Sequence, residues 1–200
     1  KEMVAYHEAG HAVVGALVPD YDQVQKISIV PRSNGAGGLT FFAPSEGRLE
    51  FQMYSKQYLE CQLAVALGGR LAEEIVYGED AVTTGASNDI QQVANIANQM
   101  VTQLGMSSKV GTVAIEQPGM SPMQRMMMPN GSMWGTKKLK GVEEEVERLV
   151  NNSYMMAKKI LLENYDLFEQ LTQALLEREV VSAEEFQMML YENKSRSVNY

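Results

Sequence analysis

The sequence predicts a mainly α, multihelical fold with a small β element. Three observations carry this expectation. Apolar residues recur at helical spacing over long stretches, most clearly Leu59, Leu63, Leu67, Leu71 and Ile75. Helix start and stop residues bracket those stretches. Only two short runs, 24–30 and 38–43, are rich in β-branched and aromatic residues.

Residues 2–18 read as a helix ended by Pro19, whose ring and missing N–H cannot continue it. "VQKISIV" (24–30) and "GLTFFA" (38–43) read as strands. The Asn-Gly of "SNGAGG" marks a tight reversal between them, and Pro44 closes the second. Ser55 is placed to cap a helix that runs to Tyr77, with Gly78 just past its end. "EDAVTTGAS" reads as a loop, after which Ser87 or Asn88 caps a helix ending near Leu104, before Gly105. Residues 116–135 lose all periodicity and carry three prolines. They also hold Met120, Met123, Met126, Met127, Met128 and Met133. They read as a variable loop, or in a sharper sense as a soft apolar lining for polypeptide. Two more helices follow, 139–163 and 165–178. Ser182 and Glu185 form a capping box for a short last helix, and "NKSRSVNY" reads as a frayed tail. The chain thus divides into one domain over 1–190 and a C-terminal tail over 191–200.

Composition narrows the function. The formal charge of −8 and pI near 4.9 argue against nucleic-acid binding, which needs a basic face. A single cysteine, Cys61, excludes an internal disulfide. No apolar run approaches the ~20 residues that span a bilayer, and no signal peptide is visible. Lys1 lies only a few residues before the first chemical motif, which reads as a domain cut from a longer chain.

That motif is "AYHEAGHAVV", residues 5–14, and it contains both histidines of the chain. His7 and His11 are four apart and so share one helix face, where two imidazole nitrogens can aim at one metal ion. Glu8 points elsewhere and can act as general base on a metal-activated water. This is the HExxH spacing of zinc hydrolases, and it predicts a Zn2+ site. A solvated helix can spell the same five residues by chance. The apolar flanks Val4, Ala5, Val13, Val14 and Leu17 argue for burial instead.

A third ligand must then be Asp, Glu or Cys. The metzincin continuation would need Gly at 14 and His at 17, where this chain has Val14 and Leu17. Cys61 on an alanine-rich helix reads as a small core residue. Glu73, Glu74 and Asp89 remain. Glu73 shares a face with Ala66 and Gly69, whose small side chains would let this helix pack tightly against Gly10 and Ala12. Glu74 lies beside the leucine stripe and is weaker. Asp89 falls in the first turn of a helix, where an acid also complements the helix dipole. Spacing alone does not choose between Glu73 and Asp89.

Four longer stretches occur in one order: "AYHEAGHAVVGALVPDYDQVQKISIVPR", "GGLTFFAPSE", "VALGGRLAEEIVYGEDAVTTGASNDI" and "MVTQLGMSSKVG". Together they resemble the protease domain of the FtsH family of membrane-anchored AAA+ zinc metalloproteases, over about residues 2–190. "GGLTFFAPSE" is most like the plastid and cyanobacterial members. The resemblance implies a zinc-dependent endopeptidase with His7, His11 and Asp89 as metal ligands and Glu8 as the catalytic glutamate. Glu73 then becomes a partner of a zinc histidine. It further implies polypeptide substrates, homo- or hetero-hexamers, membrane-spanning segments and an AAA+ module that uses ATP and Mg2+. These 200 residues contain no G-x-x-x-x-G-K-[ST] phosphate loop, so ATP hydrolysis is not expected of them. A thylakoid location is implied, with bacterial or mitochondrial membranes as alternatives. A proteolytically inactive assembly module of the same family is the competing function. Such a module would be expected to lose the histidines or the glutamate, and this chain keeps all three. Because zinc proteases often hold substrate as an added strand, Leu39, Thr40, Phe41 and Phe42 are the expected substrate edge.

Overall fold

The computed structural model describes residues 1–31, 37–115 and 136–197. The Asn-Gly reversal and the methionine-rich segment fall outside the described residues. The described elements are seven α-helices and three strands: α1 (Glu2–Leu17), β1 (Gln23–Ser28), β2 (Leu39–Ala43), α2 (Glu46–Phe51), α3 (Lys56–Tyr77), α4 (Ser87–Thr102), α5 (Thr136–Glu163), α6 (Tyr165–Arg178), β3 (Val180–Ser182) and α7 (Ala183–Ser197).

Helix α1 is the centre of the molecule. It packs on α3, α5, α6 and the sheet. Ala5, Ala9, Ala12, Val13 and Val14 are completely buried. Its closest neighbour is α3, and glycine makes that approach possible. A Cβ on Gly10 would lie 2.4 Å from the Gly68 carbonyl oxygen, and one on Gly68 would lie 2.8 Å from the Gly10 carbonyl oxygen. Two backbones can meet this closely only where neither residue has a side chain.

The Ser55 side chain caps α3 as expected, accepting from the Tyr58 N–H at 3.0 Å. Leu59, Leu63, Leu67 and Leu71 are buried in the core. Ile75 is only partly buried, at the margin of the core against which it packs. Helices α4 and α5 pack on the same helix. The capping box of α7 forms: the Ser182 N–H donates to Glu185 at 2.9 Å, and the Glu185 N–H donates to the Ser182 hydroxyl at 3.3 Å.

The three strands form an antiparallel sheet in the order β2-β1-β3. Among the described residues, strand β2 is therefore an edge. A register shift between Val24 and Lys26 of β1 bends the β1–β2 pair.

Several boundaries differ from the sequence expectation. Strand β3 was not expected: three residues between two helices carry no periodic signal, and pairing with β1 creates the strand. Helix α2, with no buried residue, was likewise not expected. Neither Ser87 nor Asn88 caps α4. Its N-cap is Ala86 without a side-chain cap, because the chain already coils into a 3-10 turn over Thr84–Ala86. Helix α4 ends at Thr102, α5 begins at Thr136, and α7 continues through Ser197 into the segment read as a tail. Among the described residues, no helix is long and apolar enough to cross a membrane.

Candidate metal centre

His7 and His11 project from the side of α1 that meets α3, and α4 brings Asp89 to the same point. The His7 and His11 Nε2 atoms are 3.1 Å apart. Asp89 Oδ2 lies 3.2 Å from His7 Nε2 and 3.5 Å from His11 Nε2. Among the described residues, this is the one cluster of three His, Cys, Asp or Glu side chains placed to hold a metal ion.

The hydrogen bonds behind the imidazoles decide what the triangle presents. His7 Nδ1 sits 2.8 Å from Glu73 Oε1, and His11 Nδ1 sits 2.7 Å from the Val65 carbonyl oxygen. Both partners are acceptors, so each Nδ1 carries the proton and each Nε2 turns a lone pair inward. Two lone pairs and a carboxylate oxygen then converge with no donor among them. That arrangement calls for a cation. The donor set suits zinc: ligand atoms about 2.0–2.1 Å from a tetrahedral ion sit roughly 3.3–3.4 Å apart, and the observed edges are 3.1, 3.2 and 3.5 Å.

When protons rather than a cation fill the triangle, protonated imidazoles donate from Nε2 to Asp89 instead, and the charges favour that pairing. Burial pushes the Asp89 carboxyl up, but the hydrogen bonds and charge of His11 and His7 outweigh it and hold it well below the usual carboxylate range. Burial would lower the His7 imidazole, and the hydrogen bonds to Asp89 and Glu73 reverse that and raise it.

Gly69 makes room for this cluster. A Cβ there would lie 2.5 Å from the Nε2 atoms of both His7 and His11. The small residues seen on this face in the sequence thus serve the imidazoles themselves as well as the helix crossing.

Glu8 is buried beside the triangle, and β2 covers it. Thr40 Oγ1 lies 2.7 Å from Glu8 Oε2, to which it donates, and 3.0 Å from the Glu8 carbonyl oxygen. Gly38 lets the strand approach, since a Cβ there would lie 2.7 Å from Glu8 Oε1. The cleft in front of these groups has a volume of about 700 Å³. Leu39, Thr40 and Phe42 line it; Phe41 does not, and is 49% exposed. Tyr21 meets Phe42 edge-on at 5.3 Å to form the far wall.

The three carboxylates left open by the sequence separate cleanly. Asp89 joins the triangle, and Glu73 stands behind His7. Glu74 points the other way, to the Tyr154 hydroxyl at 2.6 Å and Lys158 Nζ at 3.1 Å. Cys61 is a core residue whose thiol meets the Pro19 carbonyl. Sequence reasoning missed the Val65 carbonyl and Thr83. A backbone acceptor leaves no trace in side-chain identity, and Thr83 lay in a stretch read only as loop.

Comparison with known proteins settles the family. Peptidase family M41 matches residues 1–189. The chain belongs to that family. Relatives of this M41 chain include the ATP-dependent zinc metalloprotease FtsH 3 of Synechocystis sp., 52% identical over 98% of the chain and 32% of the relative. FTSH 1, chloroplastic, of Arabidopsis thaliana is 49% identical over 98% of the chain and 27% of the relative. The chloroplastic FTSH of Nicotiana tabacum is 51% identical over the same shares. The M41 chain therefore spans less than a third of the length of these relatives. The expected resemblance to cyanobacterial and plastid FtsH proteins holds, as does the mainly α fold with its small sheet.

Proposed function

We propose that this chain is the proteolytic domain of a zinc-dependent endopeptidase. The carrying observation is the convergence of His7 Nε2, His11 Nε2 and Asp89 Oδ2 with the buried carboxylate of Glu8 beside them. His7, His11 and Asp89 would hold Zn2+. The bound ion would supply Lewis acidity, polarising a peptide carbonyl and bringing the pKa of its water toward ~7.

The chain's own residues supply the rest. Thr40 occupies Glu8 Oε2, which leaves Oε1 to take a proton from the attacking water. The same carboxyl then returns that proton to the departing amine. Glu73 holds His7 in the tautomer that turns Nε2 inward. The free edge of β2, Leu39–Ala43, would pair with an extended substrate strand over the base. Main-chain pairing needs no particular side chain, so exposed Phe41 can belong to that edge without lining the cleft.

The zinc metalloprotease relatives support this reading, as do their ATP-dependent names and their chloroplastic and cyanobacterial origin. We extend it to an ATP-driven, membrane-anchored, hexameric assembly of like subunits in the thylakoid, acting on unfolded or damaged membrane proteins. The domain itself would occupy 1–190.

The test is metal content of the purified protein, followed by casein degradation with and without a chelator. Glu8→Gln should keep zinc and lose about 10²–10⁴-fold in turnover. Near-wild-type turnover of zinc-loaded Glu8→Gln would refute the general-base role.

A further inference from the structure

Glu73 is the most deeply buried carboxylate among the described residues, 1% exposed. One oxygen, Oε1, accepts a hydrogen bond from the His7 Nδ1–H. The other, Oε2, accepts two hydrogen bonds from a single residue, Thr83: from its backbone N–H at 2.7 Å and from its hydroxyl at 2.9 Å. The Thr83 hydroxyl also accepts from the Gly85 N–H at 3.2 Å. That bond opens the 3-10 turn Thr84–Ala86, which runs straight into α4 and Asp89. One buried carboxylate therefore ties the helix that carries His7 to the segment that delivers Asp89.

We propose that Thr83 is a positioning residue of the metal site, locking Glu73 against His7 while setting the turn that presents Asp89. This rests on the reading of His7, His11 and Asp89 as metal ligands. A buried carboxylate needs donors on both oxygens. Without the hydroxyl, Glu73 Oε2 keeps one donor, and the Gly85 N–H loses its side-chain acceptor. Both losses loosen a ligand-bearing element. A hydroxyl is required because it donates and accepts at once, which valine of nearly the same shape cannot do.

The test compares Thr83→Val, Thr83→Ala, Thr83→Ser, Glu73→Gln and the Thr83→Val/Glu73→Gln double variant in the intact protein. Zinc affinity is measured by competition with a chromogenic chelator, the ligand field by visible absorption after Co2+ substitution, and folding by thermal melting. Thr83→Val and Thr83→Ala should weaken zinc by about 10-fold, the lower end of what outer-shell changes cost. They should also alter the Co2+ spectrum with melting unchanged. Thr83→Ser should restore both. In the Glu73→Gln background, Thr83→Val should cost clearly less than it does alone, because the path through Glu73 is weakened and the turn at Gly85 remains. Zinc affinity in Thr83→Val equal to wild type overturns the proposal, as does an equal loss in both backgrounds. A wild-type protein that takes up no zinc overturns the metal-site reading itself, and this proposal with it.

Discussion

Thr40 in β2 places its hydroxyl 2.7 Å from Glu8 Oε2 in α1, so the edge strand and the candidate base are joined by one hydrogen bond. A strand docking on β2 would press on this candidate base. Thr40→Val should lower kcat by about 5–10-fold, the worth of a hydrogen bond of ~1–1.4 kcal/mol, with KM little changed. Thr40→Ser should recover most of the loss. Steady-state kinetics on a fluorogenic peptide checks this, and a Thr40→Val effect confined to KM would assign the hydroxyl to substrate binding instead.

Gly69 offers a test that alters no ligand. Alanine is favoured over glycine in a helix interior by about 1 kcal/mol, so Gly69→Ala should fold. Its Cβ would lie 2.5 Å from both Nε2 atoms and must displace them. Zinc affinity should fall by at least about 100-fold, the upper limit of ordinary outer-shell effects. Dialysis against graded chelator, with melting as the control, reads this out. Full zinc retention would mean that the imidazoles have another place to go.

Asp89 and Glu73 should respond differently to loss of charge. Asp89→Asn replaces an anionic donor with a weak neutral one, and both zinc occupancy and protease rate should collapse. Glu73→Gln can still accept from His7 Nδ1 and should cost only about 10–100-fold. Both variants should remain folded, because the leucine stripe of α3 depends on neither. The reverse order of zinc loss would make Glu73 the ligand and Asp89 its support.

Acid stability should depend on Glu145, which does not line the cleft. This buried carboxylate on α5 accepts from Arg148 at 2.9 and 3.2 Å and from the Ser107 hydroxyl at 2.7 Å, tying α5 to the chain beyond α4. These hydrogen bonds, Arg148 first, hold its pKa down to about 2 from an ordinary 4.5. A depressed folded-state value stabilises above the unfolded one. The contribution is therefore complete above pH 4.5 and disappears as pH falls through about 2. Arg148 is 47% exposed, so solvent screening keeps the effect of Glu145→Gln near the low end, about 1 kcal/mol at pH 7. The melting temperature of the variant should fall less steeply than that of wild type between those pH values. Parallel curves would show that Glu145 contributes nothing of the kind.

Much of this protein was legible in its sequence, and for a local reason. Helix periodicity, caps and stops act within a few residues, so α1, α3, α6 and the capping box of α7 could be read directly. The His7–His11 pair could be read for the same reason, since residues four apart share a helix face wherever the helix ends up. What only the tertiary structure decided involves partners distant along the chain. Spacing did not choose between Asp89 and Glu73 and set Glu74 below them, and only the family resemblance pointed to Asp89. The Gly10–Gly68 crossing and the course of α4 put Asp89 in the triangle, Glu73 behind His7 and Glu74 against α5. Strand β3 exists because β1 has an edge to offer it, and α4 starts without a side-chain cap because the preceding turn is already coiled. Thr83 and the Val65 carbonyl acquire their roles only when packing closes these distances, because a hydrogen bond depends on where two groups meet and not on their separation in the chain.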